Sequence, residues 1–158
     1  MANELLEHAL DYASIGWHVF PCNQENKQPL VKGGFKSAST DRLQIEKWWA
    51  AWPNAMIAVR TGKDSGLFVV DIDAKGEADG YASLAALEEQ HGKLPSTLMA
   101  TTPSEGKHYL FGYPTDGSEL RNTGGTIAPG IDTRGEGGYV IVAPSTMSDG
   151  RSYKWILE

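Results

Sequence analysis

Cysteine and long apolar runs are both scarce in this chain of 158 residues. Its single cysteine, Cys22, excludes an internal disulfide and a zinc site built from cysteines, and it fits a reducing compartment. No apolar run approaches the roughly 20 residues of a membrane span, and no basic region followed by an apolar core opens the chain. These absences predict a cytoplasmic protein without a membrane partner, in which any metal ion is held by oxygen.

Positive charge is in the minority, with 14 lysines and arginines against 20 aspartates and glutamates and a net charge of -6. This balance disfavours a protein that coats nucleic acid by bulk electrostatics. A polynucleotide substrate is still open, because acids that hold metal ions are neutralised and because a net count does not reveal a local basic groove.

Several signatures of phosphate and hydrolase sites are missing. The chain contains no G-x-x-x-x-G-K-[ST] loop, no G-x-G-x-x-G between a strand and a helix, no G-x-S-x-G and no H-E-x-x-H. Kinase-like, dehydrogenase, serine-hydrolase and zinc-protease functions therefore lose most of their support.

The spacing of apolar residues predicts an α+β domain whose C-terminal half is mostly antiparallel sheet. Asn3 and Asp41 are expected to cap the first two helices, and the tryptophans of the second helix are expected to face the core. The strands at 56–60 and 67–73 are expected to form a hairpin, and Pro21 is expected to close the first strand. The remaining predicted elements are a helix at 80–91 and strands at 17–21, 97–101, 107–113, 131–134, 139–143 and 152–156.

The central strand, 67–73, ends in two acids, Asp71 and Asp73. Side chains two apart on a strand leave the same face, about 7 Å apart at their Cα atoms. Carboxylates at the end of a buried strand need a cation, hydrogen-bond donors or water to offset their desolvation. The simplest cation is a hard divalent metal.

Other polar residues also occur at predicted strand ends: the segment from Ser104 to His108, and Asp132 with Arg134. Taken singly, each fits an acid paired with an arginine or a histidine anchored to the backbone. Taken together, three acids, a histidine and an arginine beside glycines suit a two-metal phosphoryl-transfer site.

Three ordered motifs give this pattern a specific form: V-V-D-I-D at 69–73, T-P-S-E-G-K-H at 102–108 and G-I-D-T-R-G-E-G-G-Y at 130–139. Their succession resembles the bifunctional primase-polymerase domain of phage and plasmid replication proteins, in the archaeo-eukaryotic primase superfamily. Flanking segments match as well, among them Phe20-Pro21 with Lys27-Gln28-Pro29, and Ala143-Pro144-Ser145. The resemblance spans nearly the whole chain.

The resemblance implies that Asp71, Asp73 and Asp132 hold two Mg²⁺ or Mn²⁺ ions and, with His108, form the catalytic set. His108 would bind the triphosphate of the incoming nucleotide. Arg134 has two open roles, contact with the triphosphate or orientation of Asp132.

The other expected nucleotide-binding residues are Ser104, Gly106 and Lys107, which offer hydroxyl, backbone and ammonium donors. The second motif departs from the family by placing Glu105 where a glycine is usual. Either Glu105 points away from the triphosphate or the affinity for nucleotide is reduced.

The resemblance further implies one catalytic domain over residues 1–158, with two lobes. Residues 1–62 would form an αβ module, and residues 63–158 a palm-like antiparallel sheet similar to an RNA-recognition motif. The expected activity is template-directed nucleotidyl transfer, as DNA primase and DNA polymerase, on a single-stranded DNA template with dNTP or NTP substrates. Because the chain ends at Glu158 without a helicase or accessory helical domain, extension of primers is more strongly expected than their initiation.

Two rival functions use the same residues. A metal-dependent nuclease or phosphodiesterase would use the same acids. A catalytically inactive module would bind single strands or nucleotides through the lysines of loop 23–39 and an exposed tryptophan. The three acids argue against the second rival, because a module that only binds has no use for acids that repel phosphate.

Overall fold

The computed structural model describes residues 3–74, 79–124 and 126–156. These residues form a small α+β structure, as the sequence predicts, with three α-helices, one 3₁₀ helix and two antiparallel sheets. No helix in these ranges is long and apolar enough to cross a membrane. The helices are α1 (Glu4–Ser14), α2 (Arg42–Ala51), α3 (Gly80–His91) and a 3₁₀ turn (Gly34–Ser37); the strands are β1 (Val19–Cys22), β2 (Met56–Arg60), β3 (Leu67–Ile72), β4 (Leu98–Thr101), β5 (Lys107–Gly112), β6 (Ile131–Arg134), β7 (Tyr139–Ile141) and β8 (Lys154–Trp155).

Polar side chains cap the helices where the sequence predicts it. The Asn3 carboxamide oxygen accepts from the first amides of α1, and the Asp41 carboxylate accepts from the amide of Gln44 at the start of α2. The expected packing face of α2 is confirmed for Trp48 and Trp49, which are buried, whereas Trp52 is 36% exposed. Helix α2 thus belongs to the core and offers no row of exposed rings for stacking bases.

The strands are divided between a three-stranded sheet, in the order β1-β2-β7, and a five-stranded sheet, in the order β6-β3-β5-β4-β8. The hairpin expected between β2 and β3 is wrong. Both edges of β2 are already paired, with β1 and β7, and β3 lies between β5 and β6 in the other sheet. The turn after β2 therefore carries the chain from one sheet to the other.

Pro21 does not close the first strand as expected, because β1 continues to Cys22 with Pro21 opposite Ile57. Strand β1 is an edge strand, and the carbonyl of Pro21 points to its outer side, where it accepts from the amide of Leu30 at 3.0 Å. The missing amide hydrogen of the proline therefore removes no ladder bond to β2. On the other side of β2 lies β7, a strand from late in the chain. The first sheet thus combines strands from both sides of residue 62.

One face of β3 joins the core shared with the first sheet. Leu67 and Val69 on this face, with Leu110 of β5, belong to the same buried cluster as the residues of β1 and β2. Helix α3 packs near β3 and β6. The next residue on the inner face of β3 after Val69 is Asp71, so the polar site begins where the apolar core ends.

Candidate active site

Three of the predicted site residues lie in one row across the five-stranded sheet. Asp71 of β3 is directly opposite His108 of β5 on one side and Asp132 of β6 on the other. Residues that oppose each other on neighbouring strands project from the same face, with Cβ atoms about 5 Å apart. The structure thus brings together one residue from each of the three sequence motifs.

Each acid of the row has a basic neighbour. The Nε2 atom of His108 lies 3.5 Å from Oδ1 of Asp71, and Nη2 of Arg134 lies 3.9 Å from Oδ2 of Asp132. Two carboxylates directly opposite each other repel, and the Arg134 guanidinium beside Asp132 offsets part of that repulsion. The two acids remain partly open to solvent, with 28% and 34% of their side chains exposed, so ligands can still reach their oxygens.

Asp73 lies one residue beyond the end of β3. Its amide donates to the carbonyl of Gly130 at 2.7 Å, and its carbonyl accepts from the amide of Gly80 at 2.9 Å. The approach is close enough that a Cβ on Gly80 would lie 2.7 Å from the Asp73 oxygen and 2.4 Å from that of Gly130. Glycine at position 80 therefore lets the start of α3 hold the backbone of Asp73 in place.

The remaining predicted nucleotide-binding residues surround the β4–β5 turn. Lys107 projects from the opposite face to its neighbour His108, and its Nζ atom lies 5.7 Å from the centre of the Tyr81 ring on α3. The amide of Gly106 already donates to Oγ1 of Thr102 at 3.1 Å. The structure does not bring Lys107 into the row, and the proposed contacts of Ser104, Gly106 and Lys107 with nucleotide stay predictions.

Glu105, the departure from the family motif, is exposed and has a positive φ of 66° in this turn. Its carbonyl accepts a hydrogen bond from the hydroxyl of Tyr81 at 2.8 Å. The turn is thus tied to α3 through the backbone of Glu105.

A cavity of about 320 Å³ opens beside the row and is lined by Asp71, His108 and Arg134. Sequence reasoning missed most of its other walls. Lys27 lies in loop 23–39, where the hint was the Lys27-Gln28-Pro29 match, and Tyr153 lies in the predicted strand 152–156, where nothing marked it as a site residue. The missed polar and aromatic residues that line the cavity are Lys27, Phe35, Asn122, Tyr139 and Tyr153.

Two of these residues order the wall next to His108. The ring of Tyr153 stacks on the imidazole of His108, with 5.9 Å between ring centres and 30° between planes. Burial raises the pKa of Tyr153, and the nearby Asp71 carboxylate raises it further, so its phenol stays protonated. The carboxamide oxygen of Asn122 accepts from the amide of Gly135 at 3.1 Å and so fixes the connection between β6 and β7.

The fold and the row define a class of protein: an α+β domain in which Asp71, His108 and Arg134 line a cavity and Asp132 lies opposite Asp71, an arrangement suited to phosphoryl-transfer chemistry. Residues 9–158 match the family described as bifunctional DNA primase/polymerase, N-terminal, and the chain belongs to this family. The resemblance found in the sequence is confirmed. No curated protein matches the chain. Membership makes the protein a nucleotidyltransferase-type enzyme of the primase/polymerase kind, which acts on DNA and nucleotides.

Enzymes of this family generally depend on metal ions. Asp71 and Asp132 fit such an ion by their chemistry, because carboxylate oxygens are the ligands that Mg²⁺ prefers and because the two face each other across adjacent strands. Within the described ranges, no group of three or more His, Cys, Asp or Glu side chains is assembled to hold a metal ion. The participation of Asp73 and the number and identity of the ions stay predictions.

Proposed function

We propose that this chain catalyses template-directed nucleotidyl transfer, as DNA primase and DNA polymerase, by a two-metal mechanism. The observation that carries the proposal is the row of Asp132, Asp71 and His108, of which Asp71 and His108 line a cavity together with Arg134. Asp71, Asp132 and Asp73 would hold Mg²⁺ or Mn²⁺. When bound, the ions would lower the pKa of a primer hydroxyl and neutralise charge on the triphosphate.

The other residues of the site bind and orient the nucleotide. His108 is 6% exposed, is held between Asp71 and the ring of Tyr153, and has a fixed direction for donating to a phosphate oxygen. Arg134 lies beside Asp132 and also lines the cavity, so its position supports both of its expected roles. The buried Tyr153 excludes water from the side of His108 that faces the core.

The proposal extends to the surroundings of the site. The chain would act as one catalytic domain of two lobes, about 1–62 and 63–158, with β7 from the second segment completing the three-stranded sheet of the first. The five-stranded sheet would serve as the palm similar to an RNA-recognition motif. Single-stranded DNA would be its template and dNTPs or NTPs its substrates. A helicase or accessory helical domain of a larger replication protein would supply what initiation needs.

A primer-extension assay tests the proposal. The purified protein is incubated with a labelled primer on a single-stranded template, Mg²⁺ or Mn²⁺, and dNTPs or NTPs. We expect Asp71→Asn and Asp132→Asn to abolish incorporation while the proteins stay folded, because each change removes a carboxylate charge without changing shape. Asp11→Asn, at an exposed acid of α1, is the matched control and should extend like the wild type.

The same reaction distinguishes the rival functions. Metal-dependent shortening of the labelled strand without incorporation would support a nuclease, and binding that survives EDTA without incorporation would support an inactive binding module. Full extension by Asp71→Asn or Asp132→Asn would overturn the proposed mechanism.

A further inference from the structure

The loop after β1 holds Lys27 in an unusual backbone conformation. Lys27 has a φ of 63°, which residues other than glycine rarely adopt. A tight turn holds it there: the amide of Lys27 donates to the carbonyl of Asn23 at 2.9 Å, and the amide of Asn23 donates to that of Gln28 at 2.8 Å. Non-glycine residues in this conformation are concentrated at functional sites, where the surrounding structure enforces them.

The walls of the cavity hold Lys27 from two sides. The hydroxyl of Tyr139 on β7 donates to the Lys27 carbonyl at 3.2 Å. At the other end of the residue, Nζ lies 5.7 Å from the centre of the Tyr153 ring, which in turn stacks on His108. The ammonium is therefore positioned on the wall that adjoins the catalytic row, although Lys27 is far from His108 in sequence.

The charge of Lys27 has no acidic partner in the part of the chain that the structure describes. Every ion pair there that involves a lysine, arginine or histidine uses another residue, and Arg134 already lies beside Asp132. Lys27 is also only partly exposed and lines the cavity. A partly desolvated ammonium beside a cavity favours an anion as its ligand.

We propose that Lys27 binds a phosphate group of the incoming nucleoside triphosphate, as a substrate-binding residue supplied by loop 23–39. This inference rests on the proposed function, because the ligand is the nucleotide that His108 and Arg134 contact. Loop 23–39, which follows β1 of the three-stranded sheet, thereby contributes a positive charge to a site whose acids Asp71 and Asp132 lie on the five-stranded sheet. The strained backbone of Lys27 is the conformation that brings its side chain over Tyr153.

The alternative is a purely structural role, in which Lys27 only packs its aliphatic stem on the Tyr153 ring. Three substitutions separate packing from charge. Lys27→Met keeps an unbranched stem without charge, Lys27→Arg keeps the charge, and Lys27→Gly removes the side chain at a φ that glycine adopts freely. Lys32→Met is the matched control, since Lys32 is an exposed lysine of the same loop that does not line the cavity.

Calorimetric titration with dATP and with deoxyadenosine, in MgCl₂ and without DNA, measures the contribution to binding. We expect Lys27→Met and Lys27→Gly to weaken dATP binding by roughly ten- to hundredfold, the loss typical of a hydrogen bond to a charged group. Lys27→Arg should retain most of the affinity, and Lys32→Met should match the wild type. Deoxyadenosine binding should not change, because it has no phosphate.

Thermal unfolding separates this effect from folding. Lys27→Gly should unfold at or above the wild-type Tm, because glycine relieves the strained φ, while its affinity for dATP falls. Wild-type dATP affinity in both Lys27→Met and Lys27→Gly would overturn the inference, even if the wild-type enzyme extends primers. Weakened dATP binding in these variants would support the inference even if the wild-type protein incorporates no nucleotide. The test of Lys27 is therefore independent of the test of polymerase activity.

Discussion

Gly106, the residue before strand β5, which carries His108, is expected to be needed for packing. A Cβ at this position would lie 2.3 Å from the backbone oxygen of Ile72 and 3.1 Å from Oγ1 of Thr102. The first distance is far below any real contact of a Cβ atom, and the atom it meets belongs to the backbone of β3. Gly106→Ala must therefore push β5 away from β3 at the pair formed by Ile72 and Lys107.

The expected effect on stability follows from that clash. Overpacking of this kind costs about 1–3 kcal/mol, and in a domain of this size each kcal/mol lowers Tm by roughly 2–4 °C. The effect on activity should be larger, because the next pair along the ladder is Asp71 with His108. A displacement of about 1 Å in a catalytic group can reduce the rate by about a hundredfold.

The assay is thermal unfolding of Gly106→Ala combined with primer extension, with Gly112→Ala as the matched control. Gly112 ends the same strand, a Cβ there would meet nothing within 4 Å, and its φ lies outside the left-handed region. The control should differ from the wild type by less than about 0.5 kcal/mol. If Gly106→Ala matched the control in both Tm and extension, the close approach of β5 to β3 would not be what positions the row.

Two further predictions concern the core. Burial raises the pKa of the Cys22 thiol from 9.0 to about 12, so the unfolded chain ionises first and stability falls as the pH rises through this window. The loss from this group is at most about 1.4 kcal/mol per pH unit, and urea unfolding of Cys22→Ala should show a shallower decline than the wild type. Ser145→Ala should cost about 1–3 kcal/mol, because it leaves the buried amide of Ile57 without its acceptor. Ser148→Ala, at an exposed position of the same loop, should cost little in the same urea assay.

The elements that sequence reasoning predicted well are those with local causes. Helix α3 runs from Gly80 to His91 as expected, because its apolar spacing and the glycine that follows it are local signals. The strand that carries Asp71 was equally evident, since its apolar run ends in acids. Family membership was detectable for a similar reason, because each motif is a short contiguous stretch.

Partners distant in sequence were not predictable in this way. The hairpin expected from the proximity of β2 and β3 failed because which strands pair depends on the edges that other strands occupy, and β7 is far along the chain. The row of Asp132, Asp71 and His108 required the register of three strands. No periodicity indicates that the ring of Tyr153 lies on His108, since this contact joins a loop to a strand in the folded core.

The positions of the charged residues matter more for substrate binding than the net charge of the chain. A net charge of -6 disfavours bulk attraction to nucleic acid, but substrate binding depends on the few charges that surround the cavity. In the proposed mechanism, the acids of the row would offer oxygen ligands to cations, and Lys27 and Arg134 on the cavity wall would offer donors to phosphate. A nucleotide with its metal ions needs both kinds of group close together. The acidic composition is therefore compatible with a polyanionic substrate. In that case the binding of nucleotide should depend strongly on the concentration of divalent cations, because the cations neutralise the acids of the row.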